Sequence, residues 1–254
     1  MINDCNLYYI IFNYFDFKDK HTFKRIDKKT NSIKITNLYD IDQKYCQNIN
    51  QENLKNYPYV KKLKLDGNVR VRSLNHLTYL EEFYIFLSRL NDDGINELTN
   101  LKKLTIEGLL STLYIHKLVN LEYLHICSHW PANKNGTNKI NMDDEIKRLT
   151  NLNFLCVNNN HHITNINSLT NLEILYACGD SGLSNNGIEK LTKLKELYID
   201  KNLKINIFDH FKCLTKLSIH GHDYETFAKY YETIDHIYVN DEHCSRYFKE
   251  KKLK

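Results

Sequence analysis

Residues Leu98–Ile106 read LTNLKKLTI, and near-copies follow at Leu149 (LTNLNFLCV), Leu169 (LTNLEILYA) and Leu191 (LTKLKELYI). Aligned on the phrase L-x-x-L-x-I, the first apolar position falls at Val60, Leu80, Leu101, Leu121, Leu152, Leu172, Leu194, Leu214 and Ile234. The steps between these anchors are 20, 21, 20, 31, 20, 22, 20 and 20 residues. Every anchor is followed by apolar residues three and five places later, and preceded by apolar residues three and six places earlier. Five positions held through nine units mark a structural repeat.

The alternation after each anchor is that of a short strand with one face buried, whereas the i, i+3, i+6 spacing before it suits a helical or 3₁₀ turn. A unit of this size cannot bury its apolar face alone. Neighbouring units must therefore stack, with their strands side by side in parallel and the turns on the opposite side.

The pattern resembles the leucine-rich repeat, L-x-x-L-x-L-x-x-N, which is met in full where Asn68, Asn160 and Asn202 take the Asn position. Elsewhere that position holds Ser88, Leu109, His129, Asp180, His222 or Glu242, so the internal Asn ladder is broken and less regular turns are expected. The resemblance implies an α/β fold: a leucine-rich repeat solenoid with a parallel concave sheet and an α-helical N-terminal head or cap. Residues 1–30 would form the head, 31–239 the solenoid with an irregular first unit at 31–53, and 240–254 a C-terminal cap with a basic tail. The strand-like Ser32–Ile35 belongs to that first unit.

One step of 31 residues interrupts the period. The additional residues lie between Cys127 and Lys147, and 128–136 (SHWPANKNG) reads as a loop holding the only Trp. Insertions in solenoids emerge as loops on one side, often the binding side.

In a strand the residues between buried anchors point away from the core. The central outward column is then Lys64, Tyr84, Thr105, His125, Cys156, Tyr176, Tyr198, Ser218 and Tyr238. One flanking column runs Lys62, Glu82, Lys103, Tyr123, Phe154, Ile174, Glu196, Lys216 and His236; the other begins Asp66, Phe86, Glu107 and Cys127. Tyr84, Phe86, Tyr123, His125, Phe154, Ile174, Tyr176 and Tyr198 are the candidate partner-binding residues. Aromatic anchors within a charged rim are a composition that protein-recognition surfaces use.

The same register puts His125, Cys127, Cys156 and Cys178 on the outward face, within the reach of a shared zinc if stacking continues past the insertion. Cys also serves as a small, half-apolar filler, and no closely spaced ligand pair nucleates a site. No metal and no cofactor are expected. The chain contains no phosphate-binding glycine loop, no H-E-x-x-H and no G-x-S-x-G, so no enzyme activity is expected either.

Thirty-five basic and 31 acidic residues give a net charge of +4, too even a balance for the basic field that nucleic-acid binding uses. No nucleic-acid partner is expected. No apolar run reaches the 18 or so residues of a membrane span, and the apolar LYYIIF at 7–12 lacks the flanks of a signal peptide. Seven scattered Cys without a CxxC pair suit free thiols in a reducing compartment, so a cytoplasmic or otherwise intracellular protein is expected.

Ahead of the repeats, Ile11-Phe12-Asn13-Tyr14-Phe15 with Asp19, Ile26 and Lys28 resembles the middle of the F-box, with Leu7 on the same helical face. This resemblance covers about 25 residues and implies contact with the adaptor subunit of cullin-RING ubiquitin ligases. A helical cap over the first repeat is the alternative reading of Leu7, Ile11, Phe12, Tyr14, Phe15, Asp19 and Ile26. The abundance of Asn, Lys, Ile and Tyr resembles proteins of large DNA viruses of amoebae, or of amoebae themselves; a viral origin would place the chain in a host cell. The expectation is thus a non-enzymatic protein-recognition module, recruiting substrates to a ubiquitin ligase or standing alone as a scaffold.

Overall fold

The computed structural model describes residues 36–39, 46–47, 49–91, 93–107, 114–127, 141–222, 228–230 and 234–238. Within them one parallel sheet runs in strict chain order from β1 to β10. Its strands are β1 (Asn37–Leu38), β2 (Lys62–Asp66), β3 (Glu82–Phe86), β4 (Lys103–Glu107), β5 (Tyr123–Cys127), β6 (Phe154–Cys156), β7 (Ile174–Tyr176), β8 (Glu196–Tyr198), β9 (Lys216–Ser218) and β10 (His236–Tyr238). Each step along the sheet is one repeat, so consecutive phrases lie against each other.

Leu63, Phe83, Leu104, Leu124, Leu155, Leu175, Leu197 and Leu217 stack in a single buried row, and the pairing Leu63↔Phe83, Phe83↔Leu104 and onward holds to β9. The insertion does not disturb it: Leu124 on β5 faces Leu155 on β6. The repeat anchors Val60 to Ile234 are all buried in the same continuous core.

Opposite the sheet, the described residues form few helices. Those described are α1 (Gln51–Leu54), α2 (Met142–Ile146), α3 (Asn185–Ile188) and a 3₁₀ turn at Ala228–Tyr230. Most units instead close two successive turns by backbone bonds spanning three residues, as in Leu77 N–H to Leu74 O (2.8 Å) and Leu80 N–H to Leu77 O (2.9 Å). The described residues thus form a parallel β-solenoid with tight turns opposite the sheet. The physical reason is the apolar spacing of three, which matches three residues per turn and not 3.6. The expected helical head at 1–30, with Leu7, Ile11, Phe12, Tyr14, Phe15, Asp19 and Ile26, lies outside the described residues, as do 32–35, the loop at 128–140 and 240–254.

The turns leaving the strands are more regular than the broken Asn ladder suggested. Seven residues after the anchor, Gly67, Leu87, Asn159, Gly179, Lys201 and Gly221 all take positive φ, between 44° and 82°. One place further on, Asn68, Asn160 and Asn202 are buried and donate to carbonyls of the preceding unit: Asn68 to Cys46 and Ile49, Asn160 to Ile126, Asn202 to Ala177 and Leu183. Where Asn is missing, Ser88 Oγ donates to Leu65 O at 3.3 Å, and His222 Nε2 lies 2.9 Å from Ile199 O. Any side chain that reaches the orphaned carbonyl preserves the turn.

A second ladder explains the Asn of the phrase L-T-N-L. Asn100, Asn120, Asn151 and Asn171 donate to the carbonyls of Thr78, Thr99, Val119 and Thr150, each one repeat back, at 2.8 to 2.9 Å. A third lies on the turn side, where Gln51, Asp143 and Asn185 accept backbone N–H groups of Arg72 and Ser73, Thr164 and Asn165, and Asn206 and Ile207. No described helix is long and apolar enough to cross a membrane.

Candidate functional site on the outer sheet face

The register of the sheet aligns the outward residues as the alternation requires. Lys64↔Tyr84↔Thr105↔His125↔Cys156↔Tyr176↔Tyr198↔Ser218↔Tyr238 form one row, and Tyr123↔Phe154↔Ile174↔Glu196↔Lys216 part of its neighbour. All eight candidates named from the sequence are half-buried on this face. The structure separates them into two groups, because β4 contributes only Lys103, Thr105 and Glu107 between them.

The larger group is an aromatic stripe over four strands. Tyr123 and Phe154 stack with centroids 4.2 Å apart at 9°, Phe154 tilts onto Tyr176 at 5.6 Å, and Tyr176 stacks on Tyr198 at 4.0 Å and 5°. The stripe therefore shifts from the flanking row on β5 and β6 to the central row on β7 and β8. Lys216 Nζ covers its far end, 5.3 Å from the Tyr198 ring and 5.7 Å from that of Tyr238. Such cation–π contacts add attraction where the groups are partly desolvated. Tyr198 donates to Glu196 Oε2 at 2.7 Å, and Lys216 pairs with Glu196 at 3.3 Å.

The smaller group centres on Tyr84. Its ring meets Tyr39 edge-on at 6.4 Å, Lys64 Nζ stands 5.0 Å from its centroid, and its hydroxyl donates to Glu107 Oε2 at 3.2 Å. Burial, reinforced by the Glu107 charge, pushes the Tyr84 phenol up to about 12. Burial likewise raises Tyr123, Tyr176 and Tyr198 above the ordinary phenol value. Tyr39 had no signal in the repeat pattern, since it follows β1 ahead of the nine units.

Between the two groups lies a cluster of soft side chains. His125 and Cys127 project from β5, and Cys156 is the direct cross-strand neighbour of His125. The Cys127 and Cys156 sulfurs are 3.1 Å apart, and the three potential ligand atoms lie within 4.8 Å of one another. Sequence reasoning had these thiols facing outward. They do lie on the outward face, and they are only 4 % and 3 % exposed, because short side chains sink below the longer ones aligned beside them. Cys178, the fourth residue considered, is not part of the group, because it follows the end of β7, one repeat beyond Cys156.

Electrostatics couple the cluster. The Cys127 thiol beside it holds Cys156 below the usual thiol range despite burial, with help from the His125 ring. Cys127 is pushed upward in turn by Cys156 and by burial. The Cys156 sulfur raises the His125 imidazole. His125 Nε2 is buried without a hydrogen-bond partner among the described residues, with Glu107 Oε1 3.8 Å away.

No protein-family model matches the chain, and no curated protein matches it. Among solved structures, it is similar to the functional domain of InlJ from Listeria monocytogenes, which includes a cysteine ladder, with 14% identity over 73% of this chain and a TM-score of 0.44. It is also similar to TLR13 in a complex with ssRNA13, with 19% identity over 70% of this chain and a TM-score of 0.49. The chain spans 40% and 30% of those two proteins. The solenoid itself rests on the repeat register and the parallel sheet of this chain.

Proposed function

We propose that this protein is a recognition scaffold whose outer sheet face holds a protein partner, with the stripe Tyr123, Phe154, Tyr176 and Tyr198 as its centre. One observation carries the reading: four aromatic rings on consecutive strands form a continuous half-buried surface. Rings already packed against each other present a rigid apolar platform, which lowers the entropy lost on binding. Both charge signs surround it, in Lys103, Glu107, Glu196 and Lys216, which suits a mixed protein surface better than a phosphate backbone.

The test is quantitative capture from a cell lysate with wild-type protein, with the double variant Phe154→Ala/Tyr176→Ala and with a turn-side variant, Lys193→Ala. A partner retained by wild type and Lys193→Ala but weakened at least about 100-fold by the double variant supports the site, since each central aromatic is worth about 2 kcal/mol or more. A set of partners unchanged by the double variant overturns it. Retention of nucleic acid alone would replace the protein reading with a stacking platform for bases.

The finer proposal, that the N-terminal residues deliver the partner to a cullin-RING ubiquitin ligase, is supported by the sequence of residues 7–28 alone. Its test compares capture of the cullin adaptor by the full chain and by a folded chain lacking residues 1–29. Capture by the full chain only supports it; capture by neither leaves the free-standing scaffold. The thiols are consistent with an intracellular setting, which localisation of a tagged chain would test.

A further inference from the structure

We propose that His125, Cys127 and Cys156 form a three-ligand site for a zinc-type divalent cation on the outer sheet face. The donor set is the first reason. One imidazole and two thiols are the N/S combination that selects zinc over magnesium or calcium.

Geometry is the second. His125 and Cys127 stand two residues apart on β5, on the same face, and Cys156 is brought beside them by β6, so the three donors converge from two adjacent, hydrogen-bonded strands. Ligand atoms of a tetrahedral zinc site with bonds of 2.0 to 2.3 Å lie about 3.3–3.8 Å apart. The 3.1 Å sulfur separation and the 4.8 Å outer limit of the group reach that arrangement with side-chain rotations that move atoms by roughly 1 Å.

Surroundings are the third. Two thiols brought together in a nearly solvent-free position beside an imidazole are arranged as ligands are, not as filler. Glu107 lies where an outer carboxylate orients a ligating imidazole. Cation entry displaces the thiol protons to solvent and leaves the sulfurs as thiolates bonded to the metal. His125 is the half-buried member, so the fourth position opens on the outward face, to water or to a donor atom of a bound partner.

The experiment is a cobalt(II) titration of the full chain, kept reduced with a phosphine, followed by displacement with zinc. The expected result is a thiolate-to-cobalt charge-transfer absorption saturating at one equivalent and lost on adding zinc. Cys127→Ser, Cys156→Ser and His125→Gln should each weaken cobalt binding by more than the roughly 10–100-fold that loss of an outer partner costs, and Glu107→Gln by about that amount. Cys178→Ser and Cys213→Ser should leave the titration unchanged. Circular dichroism verifies folding, and half-buried His125→Gln keeps the test decisive if a buried serine variant fails to fold. Absence of the band in folded wild-type protein, its persistence in Cys127→Ser/Cys156→Ser, or its loss in Cys178→Ser overturns the assignment.

Discussion

Glu145 Oε2 accepts the backbone N–H of Ile115 at 2.7 Å, reaching across the insertion to the repeat before it. The same oxygen accepts the N–H of His116 at 2.9 Å and lies 2.9 Å from His116 Nδ1. Glu145 is 6 % exposed and stands on α2, whose start is capped by the Asn141 side chain on Asp143 N–H at 3.0 Å. A buried carboxylate is tolerated here because three donors surround it. Glu145→Ala removes the acceptor from two backbone donors, and chemical unfolding should show a loss of about 3 kcal/mol. Glu145→Gln retains one acceptor oxygen and should lose about half as much. If the two variants match wild type, the insertion does not tie the flanking repeats together.

The Asn ladder of the L-T-N-L phrase predicts a smaller, repeated effect. Asn120→Ala deletes the exposed amide bond to Thr99 O, and denaturant melting should report about 0.5–1 kcal/mol lost. Because Asn171 is two units away, Asn120→Ala/Asn171→Ala should lose close to the sum. A marked excess would mean that the ladder acts cooperatively along the solenoid.

The turn after each strand predicts opposite signs for two reciprocal substitutions. Gly179 has φ +64°, and a Cβ there would strike the Asn159 side chain, so Gly179→Ala should destabilise by more than about 1–2 kcal/mol. Leu87 holds φ +44° and is exposed, so it bears the left-handed penalty without burying its side chain. Leu87→Gly should raise the melting temperature, by an amount equivalent to about 1 kcal/mol or less. A lower melting temperature for Leu87→Gly would show that the leucine packs usefully despite its exposure.

Tyr84 predicts alkaline sensitivity. Its phenol loses a proton near pH 10 in the unfolded chain and near 12 in the folded one, chiefly through burial and next through Glu107. The folded state holds the proton more tightly, so this contribution is complete below pH 10 and fades as pH rises toward 12. Tyr84→Phe should therefore flatten the fall in stability between pH 10 and 12 relative to wild type. Ultraviolet titration should show one late tyrosinate fewer, and an unchanged titration would contradict the assignment.

Much of this architecture was legible because the apolar spacing left few choices. With Leu or its equivalent at the anchor and three and five places on, only one face of each strand can be buried, so both the register and the outward rows follow. The 31-residue step did not upset the reading, since Leu124 and Leu155 keep their places in the row. The turn side was less legible, because an i, i+3 repeat fits a helix or consecutive tight turns, and backbone bonds over three residues decided for turns. The recurring glycines at 67, 179 and 221 were a signal for the left-handed corner that the apolar pattern obscured.

The sequence by itself determined the repeat, the parallel order of the strands and the identity of the outward residues within the nine units, since these depend on spacing along the chain. Tertiary structure alone decided how deep each outward side chain lies and which ones meet across strands. That is why the aromatic stripe changes rows between Phe154 and Tyr176, and why Cys127 and Cys156 come within 3.1 Å although 29 residues separate them. Such distances depend on side-chain length and on the packing of neighbouring units, and a one-dimensional pattern encodes neither.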